Sequence, residues 1–202
     1  MSNKFKIFLV FTLLIVLVVV INNFSSNRSD RVQKREEMTN QTKVAFNYLP
    51  KTVKGEVVYH NYYSLEYSEK DEQARWVAYK ITSDNFNSSI KRKDNFREDA
   101  FVSTQSAQLS DYRKSGYDRG HLAPAGSMKI NTLSMSESFF MSNMSPQIAG
   151  FNRGIWKKLE EEIRRIAKSN DSIFVVTGPI LTDPIGFIGK NKVPVPKAYY
   201  KT

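Results

Sequence analysis

The N-terminal part of the chain divides into an apolar run and a polar segment. Residues 7–21 are apolar apart from one threonine, and Lys4 and Lys6 precede them. As a helix this run would span about 22 Å, short of the roughly 30 Å hydrocarbon core of a bilayer. We therefore predict a signal-anchor or a cleaved signal peptide at 1–24, and the lack of an Ala-x-Ala-like site favours the anchor. The polar residues 25–50 are predicted to form a flexible tether.

Residues 51–202 combine strand-like runs with one long helical pattern, which predicts a single α+β domain. The predicted strands are Val57–Tyr63, Trp76–Ile81, a buried strand at Ser172–Thr177, and one that begins at Tyr199–Tyr200. Residues 84–100 are polar and basic and are predicted to form a loop.

A helix is predicted from Asn152 to about Lys168, with Asn152 as its N-cap. Five apolar side chains recur on one face and are predicted to pack inward: Ile155, Trp156, Leu159, Ile163 and Ile166. Asn152, Trp156, Glu160 and Arg164 follow one another at steps of four, so they form one ridge along the helix.

One of the two histidines lies in the tetrad Asp118-Arg119-Gly120-His121. Histidine is the side chain whose unperturbed pKa is nearest neutrality, which makes His121 a candidate general base. The neighbouring arginine supplies a fixed cation, as an anionic substrate attacked by water would require. The second histidine, His60, lies inside a predicted strand and is interpreted as structural.

The predicted helix could bring an amide oxygen, a carboxylate and a cation to one pocket through Asn152, Glu160 and Arg164. Oxygen ligands with few protein contacts suit Mg²⁺, which keeps several waters and is completed by substrate phosphate. Two plainer interpretations stay open on spacing alone. Asn152 could act only as a cap, and Glu160 and Arg164 could belong to a solvated helix face.

The composition adds two constraints. The 202-residue chain has a formal net charge of +10, which favours polyanionic partners such as nucleic acid. No strong base-reading motif is present, so binding is expected to be directed at phosphates with low sequence selectivity. The chain has no cysteine, which excludes disulfides and thiolate-bound metal sites.

Three motifs in order resemble the DNA/RNA non-specific endonucleases, a family that includes secreted bacterial nucleases and mitochondrial endonuclease G. They are the tetrad at 118–121, Ser-Asn-x-x-Pro-Gln at 142–147 and Asn-x-Gly-x-Trp-x-x-Leu-Glu at 152–160. The resemblance extends over most of residues 56–200. It implies a ββα-metal nuclease fold, with a mostly antiparallel sheet and flanking helices. Its first strand would end at 121–123, its second would be Phe139–Ser142, and its helix would start at Asn152.

The resemblance also implies a role for each matched residue. His121 would deprotonate the attacking water, and Asn152 would be the direct ligand of Mg²⁺, with Mn²⁺ as the alternative ion. Glu160 would hold the metal through water. The remaining assignments are Arg119 and Arg164 as phosphate contacts, Asp118 and Asn143 as supporting residues, and either Arg92 or Arg97 as a further substrate-binding arginine.

The chain ends at Lys201-Thr202, where a strand beginning in the Val-Pro-Val-Pro segment at 193–196 should enter the sheet. Members of the resembled family continue further, so we expect the C-terminal part of the usual fold to be missing.

The leading hypothesis is a Mg²⁺-dependent endonuclease that cuts DNA and RNA with little sequence preference. The alternative is a membrane-tethered nucleic-acid-binding module with an inactive nuclease-like site. Expected partners are DNA and RNA through their phosphates, a membrane through residues 5–24, and a second copy in a homodimer. The domain is expected on the outer face of a bacterial cell membrane, or in the periplasm or medium if residues 1–24 are cleaved.

Overall fold

The computed structural model describes residues 49–51, 54–86 and 89–202. The described strands are β1 (Glu56–Tyr59), β2 (Tyr63–Ser68), β3 (Gln73–Thr82), β4 (Asp118–His121), β5 (Met144–Gln147), β6 (Ser172–Pro179), β7 (Gly186–Ile188), β8 (Val193–Val195) and β9 (Tyr199–Lys201). The described α-helical segments are α1 (Leu109–Tyr112), α2 (Thr132–Glu137), α3 (Ala149–Phe151) and α4 (Lys157–Lys168). A π-helical turn, Asn152–Trp156, joins α3 to α4, and it is kinked at Gly154, whose backbone angles (φ −102°, ψ −110°) are not helical.

The main sheet has five strands in the order β1-β2-β3-β6-β9, and every neighbouring pair is antiparallel. The α+β class and the mostly antiparallel sheet predicted from the sequence are therefore confirmed. The prediction of a single strand over Val57–Tyr63 is wrong, because the chain reverses direction between Tyr59 and Tyr63. The His60 amide donates to the Tyr63 carbonyl (2.9 Å), which closes the turn between β1 and β2.

The main core lies between this sheet and the helix α4. Buried aromatic and aliphatic side chains of β2 and β3, among them Tyr63, Leu65 and Tyr79, meet Ala167 and the partly buried Ile163 of α4. Burial of such side chains is worth roughly 1.5–3 kcal/mol each, which makes this contact the principal support of α4.

The apolar face predicted for α4 is only partly correct. Trp156 is 4% exposed, but Ile155 is 65% exposed and Leu159 and Ile166 are also exposed. The buried stripe of this helix is centred on Trp156, Ile163 and Ala167, so Leu159 and Ile166 fall at its margin. Ile155 lies in the irregular turn that precedes α4.

A separate hairpin, β4–β5, pairs His121 with Met144 and Asp118 with Gln147. The second strand predicted at Phe139–Ser142 is therefore displaced, and Met141–Asn143 form a 3₁₀ turn. The reason is a competing partner: the Met141 amide donates to the Arg97 carbonyl (2.8 Å), and the Arg97 amide donates to the Phe139 carbonyl. The chain order is still two antiparallel strands followed by a helix, as a ββα unit requires.

The last strands differ from the expectation in one respect. The segment at 193–196 contributes β8, which pairs with β7 in its own hairpin. The main sheet instead receives β9, where Thr177 pairs with Lys201 and Pro179 with Tyr199. The expected strand at Tyr199 is thus confirmed, while the entry of the Val-Pro-Val-Pro segment into the sheet is wrong.

The predicted signal-anchor at 1–24 and nearly all of the tether at 25–50 lie outside the described residues. Within 49–51, 54–86 and 89–202, no helix has the length and apolar character needed to cross a membrane.

Candidate active site

His121 occupies the end of β4, where two aromatic rings enclose its imidazole. Phe139 meets it edge to face with 5.0 Å between ring centroids, and Phe96 lies 5.7 Å away. The Nε2 atom is buried and has no hydrogen-bond partner among the described residues. Burial and the nearby guanidinium groups of Arg92 and Arg119 lower the pKa of His121 to about 3. The imidazole is therefore neutral at physiological pH and has a lone pair for a proton.

Asn143 holds the backbone of the two residues that follow His121. It is fully buried, its Oδ1 accepts from the Ala123 amide (2.8 Å), and its Nδ2 donates to the Ala123 carbonyl (2.9 Å) and to the Ser138 carbonyl (2.8 Å). The Leu122 amide donates to the Asn143 carbonyl. The amide side chain thus satisfies polar backbone groups that would otherwise be buried without partners.

Gly120 is required by a close approach on the same hairpin. A Cβ at this position would lie 2.1 Å from Cδ of Gln147, whose side chain crosses the strand. Such a contact could not form unless the buried Gln147 side chain moved away, so the glycine lets β4 pack closely against this side chain.

The two upstream arginine candidates have different surroundings. Arg92 lies over the Phe139 ring at 4.9 Å, pairs with Asp94 (2.6 Å), and acts electrostatically on His121. Arg97 stacks on Phe140 and donates to the Ser136 and Asn95 carbonyls. The structure therefore brings Arg92 to the histidine, whereas the guanidinium of Arg97 is committed to backbone carbonyls.

Arg119 stacks its guanidinium on the Phe96 ring at 4.0 Å. Cation–π stacking at this distance holds the planar group in place while its edge remains available for hydrogen bonds. Because the same ring also packs beside His121, Phe96 sets the positions of both side chains.

Asn152 lies inside the π-helical turn with helical backbone angles, so the predicted N-cap role is wrong. The helix begins earlier, at Ala149. The Asn152 Nδ2 donates to Asp118 Oδ2 (2.8 Å), which orients the amide and leaves its carbonyl oxygen as the atom that can bind a cation. Single π-helical turns inside α-helices occur frequently at functional sites.

Asp118 ties the start of β4 to this turn. Arg153 donates to both carboxylate oxygens, from Nη2 to Oδ1 (2.7 Å) and from Nε to Oδ2 (2.9 Å). These hydrogen bonds, together with that from Asn152, lower the pKa of Asp118. Asp118 therefore has a supporting position, and its charge is balanced by Arg153.

Glu160 and Arg164 lie in a half-buried cluster with Lys201 of β9. Burial raises the pKa of Glu160 to about 7, although Lys201 and Arg164 both act to lower it. Burial also lowers the pKa of Lys201 to about 8. The Lys201 Nζ donates to the Leu122 carbonyl (3.2 Å) and the Tyr79 hydroxyl (3.3 Å) and lies over the Trp156 ring at 4.7 Å. The plain interpretation of Glu160 as part of a solvated face is therefore wrong.

The donors present fit a hydrated divalent cation. The described residues contain no group of three or more His, Cys, Asp or Glu side chains that could enclose a metal ion. What they offer is one amide oxygen on Asn152 and a carboxylate on Glu160. Hard oxygen donors in small number match Mg²⁺, which retains water ligands, rather than Zn²⁺, which takes nitrogen and sulfur ligands.

Sequence reasoning missed three residues of this site: Arg153, Phe96 and Lys201. Arg153 directly follows Asn152, so a search for a partner of Asp118 could have found it. Phe96 could have been singled out as an aromatic residue within a basic loop. Lys201 carried no local signal, because only the pairing of β9 with β6 brings it beside Leu122.

The sequence matches the family model of the DNA/RNA non-specific endonucleases over residues 40–202. The chain belongs to this family, as its motifs indicated. Among its relatives, nuclease C1 of Cunninghamella echinulata var. echinulata is 35% identical over 153 residues, which cover 69% of this chain and 61% of that protein. Mitochondrial endonuclease G of Homo sapiens is 34% identical over 151 residues, which cover 69% and 51% of the two chains.

The fold similarity agrees with the sequence similarity. A crystal structure of the EndoG/EndoGI complex is similar with a TM-score of 0.68 at 32% identity, covering 75% of this chain and 68% of that chain. The chain spans only 61% and 51% of the lengths of the two relatives named above.

Proposed function

We propose that this protein is a metal-dependent endonuclease that hydrolyses phosphodiester bonds of DNA and RNA with little sequence preference. The observation that carries the proposal is the neutral His121 beside Arg92 and Arg119, with a helix carrying Asn152 and Glu160 packed on the same hairpin. This is the combination of base, cations and oxygen donors that water attack on a phosphodiester requires.

His121 would take a proton from the attacking water as that oxygen forms its bond to phosphorus. The bond from phosphorus to the leaving oxygen then breaks, and the leaving oxygen is protonated. Arg119 and Arg164 would contact the phosphate and stabilise the added negative charge of the transition state. A divalent cation held by Asn152, and through water by Glu160, would neutralise charge on the phosphate and leaving oxygen.

The charges around His121 bear on its strength as a base. A base with a pKa of about 3 would accept a proton only weakly. A bound phosphate would offset the charges of Arg92 and Arg119, which both lower that pKa. Substrate binding would therefore raise the pKa of His121, while the larger effect on that pKa, burial, would remain.

Low sequence preference follows from the kind of group that would make contact. The site offers guanidinium groups and an amide, and the chain as a whole is strongly basic, with a net charge of +10. Contacts to phosphate position a nucleic acid but carry no direct sequence information.

The test is cleavage of supercoiled plasmid and of RNA by the full chain, with Mg²⁺, with Mn²⁺ and with EDTA. The proposal expects cleavage of both substrates, loss with EDTA and restoration with Mg²⁺. Nucleic-acid binding without metal-dependent cleavage would instead support an inactive binding module. Placement outside the cytoplasm stays a prediction, which mass spectrometry of the mature N-terminus would check.

A further inference from the structure

A pocket of about 320 Å³ opens beside the tetrad, on the side of Asp118 and Arg119. Its size is at the lower end of the roughly 300–1,000 Å³ typical of small-molecule sites. The lining consists of Leu109, Tyr112, Arg113, Tyr117, Asp118 and Arg119. Only Arg119 and Asp118 were assigned roles above, so most of this pocket has no function in the cleavage chemistry.

The lining combines flat apolar surface with positive charge. Leu109 is 37% exposed and Tyr117 is half-buried, which leaves part of each accessible to a ligand. Arg113 is exposed, and Arg119 is held in position by stacking on Phe96. Tyr112 is buried in the neighbouring core and closes the inner side of the pocket.

The carboxylate of Asp118, which lines the pocket, would not repel a bound anion strongly. Both oxygens of Asp118 accept hydrogen bonds from Arg153, and one also accepts from Asn152. Its charge is thus balanced within the protein. The net character of the pocket is aromatic and cationic, which suits a nucleoside with an attached phosphate.

We propose that this pocket receives the nucleobase of the nucleotide adjoining the scissile phosphate, with Tyr117 as its stacking surface. The inference rests on the proposed function, because it places that phosphate at Arg119. Stacking on an aromatic ring tolerates every base, so such a pocket strengthens binding without creating sequence preference. Because this pocket opens on the side of Asp118 and Arg119, it would hold one of the two nucleosides that flank the scissile phosphate.

The test uses an end-labelled oligonucleotide that contains one abasic nucleoside, with cleavage mapped at every linkage. Base stacking of this kind contributes about 5- to 100-fold in affinity. With wild-type protein, cleavage should fall by that factor at the linkage on one side of the abasic nucleoside and stay unchanged on the other side. Equal cleavage on both sides, or an equal drop on both, would overturn the proposal.

The variant Tyr117→Leu removes the ring but keeps apolar volume against the neighbouring core. It should raise KM for intact oligonucleotide by about 5- to 100-fold and abolish the one-sided drop at the abasic linkage. The matched control is Tyr59→Leu, a half-buried tyrosine on β1 that does not line the pocket. If folded Tyr117→Leu keeps the one-sided drop, Tyr117 is not the stacking surface and the proposal is wrong.

A second variant, Arg113→Gln, leaves the apolar packing intact because the side chain is exposed. It should weaken binding and reduce the dependence of affinity on salt by about one counterion, compared with Lys70→Gln on the β2–β3 turn. Complete absence of Mg²⁺-dependent cleavage by wild-type protein would reject the proposed function instead. Anisotropy of intact and abasic oligonucleotides in EDTA would then still decide whether the pocket holds a base.

Discussion

The two histidines of the chain both lie against aromatic rings, yet the charged groups near them have opposite signs. His60 Nε2 lies 2.9 Å from the Asp99 carboxylate, and both side chains are fully buried. Burial acts to raise the pKa of Asp99, but His60 and the Ser142 hydroxyl outweigh it, so the pKa is lowered. We call His60, Asp99 and Ser142 the His60 network.

His121 has two arginines nearby where His60 has a carboxylate. An anion beside an imidazole favours its protonated form, whereas cations favour the neutral form. The comparison teaches that enclosure alone does not create a base. The neighbouring groups differ in what they can hold: His60 is engaged by a buried carboxylate, whereas His121 lies near two cations that can also hold a phosphate.

The largest expected effect separates the two histidines directly. His121→Ala should lower kcat by about 10²–10⁴-fold with little loss of folded protein, because a general base is removed. His60→Ala should lower the free energy of unfolding, since Asp99 loses its buried partner, while kcat of the folded fraction stays near wild type. Cleavage rates and thermal melts of both variants check this. Equal kcat losses in the two folded variants would contradict the division of roles.

A second prediction extends the comparison to the oxygen donors. Asn152→Ala should raise the Mg²⁺ concentration for half-maximal activity more than Glu160→Ala does, since loss of a group acting through water commonly costs about 10–100-fold. The control is Glu137→Gln, a buried carboxylate that accepts from Asn61 near the His60 network. Mg²⁺ titrations of the three variants give the result. No shift for Asn152→Ala would place the metal elsewhere.

A third prediction concerns the arginines that make the two environments differ. Arg92→Gln should raise the pKa of His121, because one of the cations that lower it is lost. It should also reduce kcat/KM by about tenfold or more if Arg92 contacts phosphate through a charge-assisted hydrogen bond. Arg97→Gln, which removes the stacking on Phe140, should leave the pKa of His121 unchanged. NMR titration of the imidazole distinguishes the two, and identical titrations would reject Arg92 as the nearer cation.

A fourth prediction uses the carboxylate at the site. Glu160 has a pKa of about 7 before metal binds, so activity at low Mg²⁺ should fall as the pH drops below about 7 and Glu160 becomes protonated. Lys201→Met should move this fall to higher pH, since Lys201 acts to lower that pKa, and Lys201→Arg should restore it. Excess Mg²⁺ should move the fall to lower pH because a cation favours the ionised carboxylate. A pH profile of Lys201→Met that coincides with wild type would contradict the assignment.

The effect that is smallest at neutral pH is on stability. The pKa of His121 is lowered on folding, so the unfolded chain binds more protons between about pH 6.5 and pH 3. The contribution of this group is complete above pH 6.5 and is lost as the pH falls toward 3. His121→Asn should flatten that part of the curve in urea unfolding at a series of pH values. A slope equal to wild type would mean that the imidazole is less enclosed than described.

Much of the fold could be predicted because it follows local patterns. The short apolar runs at Trp76–Ile81 and Ser172–Thr177 identified two inner strands of the sheet, since enrichment in β-branched and aromatic residues is visible in sequence. The displacement of the second hairpin strand could not be foreseen, because it depends on the distant backbone of Arg97. The same limit applies to the candidate site. Most of the predicted site residues fall within three short motifs that can be recognised in sequence. Lys201 lies outside these motifs and reaches Leu122 only through the completed sheet.

The π-helical turn at Asn152–Trp156 has a consequence for how the helix can vary. Deleting Gly154, whose backbone angles (φ −102°, ψ −110°) form the kink in this turn, would let the chain continue as one α-helix, so the helix itself should become more stable. The same deletion would rotate Asn152 by about 100° relative to Glu160 and take it away from Asp118. The irregular turn therefore fixes the rotational position of Asn152 relative to Glu160 about the helix axis. A more regular helix would be more stable but would no longer place both oxygen donors at the site.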